Sequence, residues 1–287
     1  MAADGLAPGD ARLTTAAARV GRDGALALRF ELRGGRSVVA GCRWTTPLQV
    51  MAPVALDDRA AVVSILNPTG GLVGGDRLAI DVTVGAGAHA CLTTPSATKV
   101  YRTAGAVAEQ TVRVTLAPGS RLEWAPDHTI PFAGAALRQR FDAEVGDGAT
   151  LIVVDAFAAG RVARGETWRF LLLDSTLSVR DASGWLLHDR LRLCDGTPGG
   201  GLGLAEARPY VATIALIADT GVGAFVADVA ALVNDDADVG AALLSRRGAL
   251  VRCLAADAPA LTRVLDAVWA AARHHALGLP PLALRKP

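Results

Sequence analysis

Along most of the chain apolar and polar side chains alternate one for one. Leu78, Ile80, Val82 and Val84 are separated by Ala79, Asp81 and Thr83, and Val112, Val114 and Leu116 by Arg113 and Thr115. Successive residues of a strand point to opposite faces, so a period of two predicts strands with one face buried. The pattern dominates from Ala25 to about Ala218, with further strand candidates around Phe141 and over residues 151–154, 168–173, 177–179, 185–193 and 211–217. Gly85, Ala86 and Gly87, then Ala117, Pro118 and Gly119, then Gly146, Asp147 and Gly148, punctuate the strands as turns. No helical segment stands between them, so the strand and helix alternation of a doubly wound sheet is missing. The expected architecture is mainly β, and its edges have to close or be covered. That favours a large sandwich, a barrel or a β-helix-like stack of sheets over one open sheet.

A helical period appears only in the C-terminal third. Val222, Phe225, Val226, Val229, Leu232 and Val233 recur at helical spacing, with Asp219 or Thr220 placed to cap the start. Leu261, Val264, Leu265, Val268, Trp269 and Ala272 repeat the stripe after Asp257 and Pro259, and Gly278, Leu279, Pro280 and Pro281 stop it. Two amphipathic helices are therefore expected to lay their apolar stripes on the sheets. No strong linker divides the chain, so one domain is expected over 1–287, with a helix-containing tail from about 219 to 287.

Composition narrows the function classes. Lys and Arg number 29 against 28 Asp and Glu, a net charge of +1, which leaves no basic surplus to neutralise a phosphate backbone. Nucleic acid is not an expected partner. Hydrophobic residues make up 51%, yet charges or glycines interrupt every run before the ~18 residues of a membrane span. Met1, Ala2, Ala3, Asp4 and Gly5 show neither the basic nor the apolar region of a signal peptide, which points to the cytoplasm. Cys42, Cys91, Cys194 and Cys253 lie far apart with no paired spacing, and read as reduced, small apolar side chains.

Several constellations invite chemistry and yield to simpler readings. The run Gly70, Gly71, Leu72, Val73, Gly74, Gly75, Asp76 lacks the Lys and Ser or Thr of a phosphate-binding loop and leads into a strand, so it reads as a turn presenting Asp76. His89 and Cys91 share a strand face, but the local sequence offers no further ligands to close a metal site. His274 and His275 sit about 100° apart on a helix and cannot grip one ion together. Asp127 with His128, and His188 with Asp189, are adjacent on strands and point to opposite faces. No nucleophile elbow accompanies either pair. The dense polar run from Thr93 and Thr94 through Thr98, Lys99, Tyr101 and Arg102 reads as a strand end whose hydroxyls satisfy turn backbone.

These blocks also carry a likeness. Gly70 to Leu78 with its four glycines, including Gly74 and Gly75, is followed by Leu92, Thr93 and Thr94 and then Ala97, Thr98, Lys99, Val100, Tyr101 and Arg102. Next come Leu122, Glu123, Trp124, Ala125 and Pro126 with Thr129, Ile130 and Phe132, then Gly160, Arg161, Val162, Ala163, Arg164, Gly165 and Glu166, then Asp189 and Arg190. In content, order and spacing they resemble the urease accessory protein family UreD, also called UreH, over about residues 45–190. The chain departs from the family at Pro95 and Ser96, at Asp127 and His128, and at Ala133, where an acidic residue is frequent.

The resemblance implies a non-enzymatic scaffold of β-helical character. It further implies a cytoplasmic complex with UreF, the GTPase UreG and the urease apoenzyme, through which Ni²⁺ reaches the urease active site. No tightly bound cofactor is expected, only transient Ni²⁺. A conduit must release its ion, so carboxylates and hydroxyls suit it better than a cage of thiolate and imidazole. Asp76, Asp155, Glu166 and Asp189 lie in or beside the blocks and are the candidates for such a route. Each also has a simpler reading as an ion pair with Arg77, Arg161, Arg164 or Arg190. Two other classes stand beside the scaffold: a stand-alone nickel-binding chaperone using His89 and Cys91, and a β-fold hydrolase gathering Asp127, His128 or His188 with a carboxylate.

Overall fold

The computed structural model describes residues 23–54, 59–103, 105–194, 205–232 and 235–284. The reading of the first five residues and the helix position Val233 lie outside them. The described residues open with a hairpin of β1 (Asp23–Arg33) and β2 (Arg36–Trp44), turned at Gly34 and Gly35. The chain continues through β3 (Gln49–Val50) and β4 (Ala61–Leu66) into a regular winding. β5 (Arg77–Val84), β8 (Ala108–Leu116), β11 (Ala136–Val145) and β13 (Leu172–Asp181) run parallel in one sheet. β6 (His89–Thr93), β9 (Arg121–Ala125) and β12 (Thr150–Ala158) alternate with them in sequence and run parallel to β4 in the other. Short β7 (Thr98–Val100) and β10 (Thr129–Pro131) pair along a third side.

Parallel neighbours need a long crossover, usually a helix. Here the crossover from one strand to its neighbour is a strand of the opposite sheet, which is why parallel sheets coexist with no helical period. The three turn triplets stack at one end: Ala117 N–H donates to the Val84 carbonyl and Gly146 N–H to that of Leu116. The strands of the winding and their antiparallel partners form a seven-stranded and a ten-stranded sheet. β14 (Gly184–Cys194) flanks β13, and β15 (Tyr210–Ile217) flanks β12.

The two sheets differ in what covers them. The first has its inner face in the core and its outer face in water, where the cross-strand row Arg77, Glu109, Arg138, Asp174 and Arg192 alternates in charge. Opposite charges side by side on neighbouring strands favour this register. The second sheet is covered twice. Leu151 and Val153 face the first sheet, while Ile152 and Val154 face a second core built with α1 (Val222–Ala230) and α2 (Ala258–Ala272). Burial on both faces is the reason residues 151–154 read as one continuous apolar run.

The C-terminal region holds more than helices. β16 (Ala237–Leu243) and β17 (Ala249–Ala255) form a hairpin between them and extend the second sheet beside β15. The helix caps divide as well. Asp257 caps α2, its side chain accepting from Ala260 N–H at 2.7 Å. The residue ahead of α1 is Gly221 in a left-handed conformation, and Asp219 is instead drawn away to Arg247. The expected strand over 168–173 begins only at Leu172, because Trp168 adopts a positive φ in the preceding loop.

Candidate functional site

The sequence blocks are consecutive rungs of the winding. Leu72 pairs with Val100, and β7 pairs with β10, so segments from three coils lie side by side. Gly71 sits at φ 151°, and a Cβ there would lie 2.4 Å from the Lys99 carbonyl oxygen. Only glycine lets the two rungs approach so closely. Tyr101 ties them from outside, donating to the Gly70 carbonyl and meeting Phe132 edge to face at 5.2 Å. Thr93 donates to the Ala125 carbonyl at 2.7 Å, and Thr94 accepts from Asp127 N–H at 2.9 Å. Arg102 lies against Gly134.

Between the sheets, behind these rungs, lies a cavity of about 250 Å³. Asn67, Thr94, Ser96, Thr98, Lys99 and Asp127 line its block side, and Gln110, Gln139, Ser175 and Asp155 its polar interior. Trp124, Phe141 and Ile80 supply the apolar wall.

Asp155 occupies an inward position on β12. It accepts from Gln139 Nε2 at 2.6 Å and from Ser175 Oγ at 2.7 Å. Burial pushes its carboxyl up to about 6, the two hydrogen bonds oppose that, and the Asp189 charge adds to it while Arg252 subtracts. Thr213 is directly opposite Asp155 in the β12 and β15 register, and Arg252 directly opposite Thr213 on β17. Arg252 donates to Thr213 Oγ1 and to Asp189 Oδ1, so it joins the second sheet to β14 of the first.

Of the four candidate carboxylates Asp155 lines the cavity, Asp189 holds Arg252, and the other two serve their own turns. Asp76 is buried and accepts from Val73 N–H at 2.9 Å, closing the glycine loop of Gly74 and Gly75. Glu166 receives both arms of Arg161 and Ala133 N–H, and the hydrogen bonds from Arg161 hold its carboxyl below the usual carboxylate range. Arg161 in turn lies over the Phe132 ring at 4.6 Å. Gly160 and Gly165, at positive φ, allow this tight loop.

Glu123 belongs to a different place. It is 0% exposed on the helix side of β9, where Oε1 meets His89 Nε2 at 2.7 Å and the Arg273 guanidinium, and Oε2 accepts from Trp269 Nε1 at 2.6 Å. His89 is thereby engaged by a carboxylate, while Cys91 lies in the core under the helices. The four cysteines form no disulfide. Among the described residues no group of three or more His, Cys, Asp or Glu is placed to hold a metal ion. The His188 dyad does not assemble, because His188 meets Ser178 Oγ at 3.2 Å while Asp189 points inward to Arg252; Asp127 and His128 lie in the loop ahead of β10 rather than on a strand, with His128 packed against Tyr210. His275 is engaged by Asp228 at 2.6 Å and meets the His274 ring edge to face at 4.7 Å.

Gln110, Gln139, Ser175, Thr213 and Arg252 were not among the sequence candidates. Their signal was available: each stands at a core-phase position, Gln139 between Leu137 and Phe141, Ser175 between Leu173 and Leu177. A polar residue in the buried phase of a strand needs a hydrogen-bonding partner inside.

A family model described as UreD urease accessory protein matches residues 22–287. The chain belongs to this family. It is 36% identical to the urease accessory protein UreD of Pseudomonas putida, over 89% of this chain and 90% of that one. It is 35% identical to UreD 2 of Streptomyces griseus, over 92% and 94%, and 34% identical to UreD of Deinococcus radiodurans, over 92% and 95%. The family match covers the sequence blocks, the cavity and the helices alike. No helix among the described residues is long and apolar enough to cross a membrane.

Proposed function

We propose that the chain is a non-enzymatic scaffold of urease maturation, acting in a cytoplasmic complex with UreF, UreG and the urease apoenzyme, and that Ni²⁺ passes through it as cargo. The observation that carries this reading is the cavity itself. It lies behind the family blocks, and amide and hydroxyl groups with the carboxylates of Asp155 and Asp127 line it beside Lys99 and Arg140. Such ligands hold a divalent ion weakly and exchange it quickly, as passage requires. Asp155 and Asp189 are the carboxylates of this route. Asp76 and Glu166 support it by fixing the loops in which they lie.

In a host carrying its cognate urease operon, deleting the gene should leave urease made but largely free of nickel, read by metal analysis of the purified enzyme. Asp155→Ala and Asp189→Ala should lower urease activation at limiting nickel while the complex with UreF still forms in a pull-down. Normal nickel content in urease from the deletion strain would remove the assignment. Full activation by both variants would remove the route.

A further inference from the structure

The outer side of the stacked rungs collects positive charge that the fold leaves unanswered. Thr103 N–H donates to the Gly134 carbonyl and Gly134 N–H to that of Arg169, so Arg102 and Arg169 flank the Gly134 rung from the coils on either side. Lys99 stands in β7 three residues before Arg102. Arg164 ends the short turn of helix that follows Arg161, itself seated over the Phe132 ring. Lys99, Arg102, Arg164 and Arg169 are exposed, and none of them meets a carboxylate among the described residues. Glu166, the carboxylate set among them, is taken by Arg161 and Ala133 N–H. The outer face of the first sheet is different: Arg113 has Asp81 at 3.5 Å, Arg138 has Glu109 at 3.0 Å and Arg190 has Asp174 at 2.8 Å.

We propose that this rung face is a docking surface for an acidic patch on a partner protein. The inference rests on the scaffold reading and names the chemistry by which one of its partners is held. Like charges gathered on rigid turns repel each other, and opposite charge brought by a partner turns that cost into attraction. Apolar contacts accompany the charge. Tyr101 and Phe132 are half-buried and meet edge to face, and Leu171, two residues after Arg169, is 45% exposed. Aromatic side chains and arginine are the residues enriched where proteins meet. The chain as a whole carries only +1, so no molecule-wide field supports a phosphate backbone, and the local charge suits a protein surface better than a nucleic acid. Exposed cations of this kind act mainly on the rate of association, and salt screens them.

The test is biolayer interferometry of the immobilised full chain with UreF and, separately, with the urease apoenzyme, at low and at high salt. Arg102→Glu combined with Arg169→Glu should slow association with one of the two by about tenfold or more at low salt, with a smaller difference at high salt. Arg102→Lys with Arg169→Lys should stay near the wild type. Arg36→Glu with Arg43→Glu, the same change of charge placed on β2, should also stay near it. If the reversed pair does not fold, Arg164→Glu, in its exposed turn, decides by the same reading. Unchanged association of the folded reversed variants with both proteins, or an equal loss in the β2 control, overturns the inference. So does a loss confined to binding of a labelled DNA duplex. Failure of the two readings is separable. A wild-type chain that binds neither UreF nor the apoenzyme removes the scaffold and this surface with it, whereas binding that ignores charge reversal removes the surface alone.

Discussion

Asp155 takes the inward position of β12 between Val153 and Phe157, both core side chains. Burial there lifts its carboxyl to about 6 from 3.8, so the folded chain holds this proton more tightly than the unfolded chain. Stability must then fall as pH rises from about 4 to about 6, because ionisation is easier in the unfolded state. At about 1.36 kcal/mol per pH unit, the difference between the states reaches about 3 kcal/mol. Asp155→Asn removes the proton equilibrium. Its stability relative to wild type, measured by urea unfolding at pH 4, 5, 6 and 7, should therefore improve by that order between the first and last values; a flat difference would show that Asp155 ionises freely. Glu123 is a buried carboxylate bonded to His89, Trp269 and Arg273. Truncating it removes one carboxylate from three buried donors at once, among them Arg273, itself 0% exposed. Glu123→Ala should cost about 3–5 kcal/mol, and replacing Glu123 and Arg273 together by apolar residues should cost less than the single change. Urea unfolding of the single and double variants checks this, and a double variant worse than the single would contradict it.

At the scale of elements, much of the winding is written locally. The period of two marks β5 and β8, the glycine-containing triplets mark the stacked turns, and the continuous apolar run at 151–154 marks a strand buried on both sides. Other features lie outside local reach. Whether neighbouring strands run parallel depends on where the chain goes between them, and two of the Glu123 partners, Trp269 and Arg273, stand about 150 residues away. The β16 and β17 hairpin is hidden because β16 is short, rich in alanine and mostly exposed, so neither period is clear. For the site, sequence blocks selected four carboxylates, of which Asp155 and Asp189 stand in the inward phase of their strands and Asp76 and Glu166 close loops. The inward phase also holds Gln139, Ser175 and Thr213, which the blocks did not mark. The rung contact at Gly71 gives an element-level prediction. Gly71→Ala drives a methyl against the Lys99 carbonyl at a backbone conformation L residues avoid, while Gly119→Ala, at φ 65° with nothing within 4 Å, meets backbone strain alone. Gly119→Ala should cost about 1–2 kcal/mol and Gly71→Ala clearly more. Thermal unfolding of both variants reads the difference, and equal losses would mean that the rungs part without cost.

Across the whole molecule, near-zero net charge is combined with sheets that have edges. The formal charge is +1 and the isoelectric point about 7.8, so at neutral pH little long-range repulsion keeps copies apart. Edge strands escape pairing when charges, proline or bulges interrupt them. β14 carries His188, Arg190 and Arg192, and β2 carries Arg36 and Arg43 and bulges at Ala40 opposite Arg29 and Phe30 of β1. β3 has two residues. β16 has the sequence Ala-Asp-Val-Gly-Ala-Ala-Leu, with Asp238 as its one charge and Leu243 61% exposed. Asp238 is itself drawn toward Arg208. This edge is therefore the least defended, and the chain alone should associate through it as concentration rises. Leu243→Lys places a charge on the edge without touching the cavity or either helix stripe. Light scattering coupled to size-exclusion chromatography, over a concentration series near pH 7.5, should give a rising mass for the wild type and a lower, flatter mass for Leu243→Lys. The same rising mass in both proteins would show that association runs through another surface.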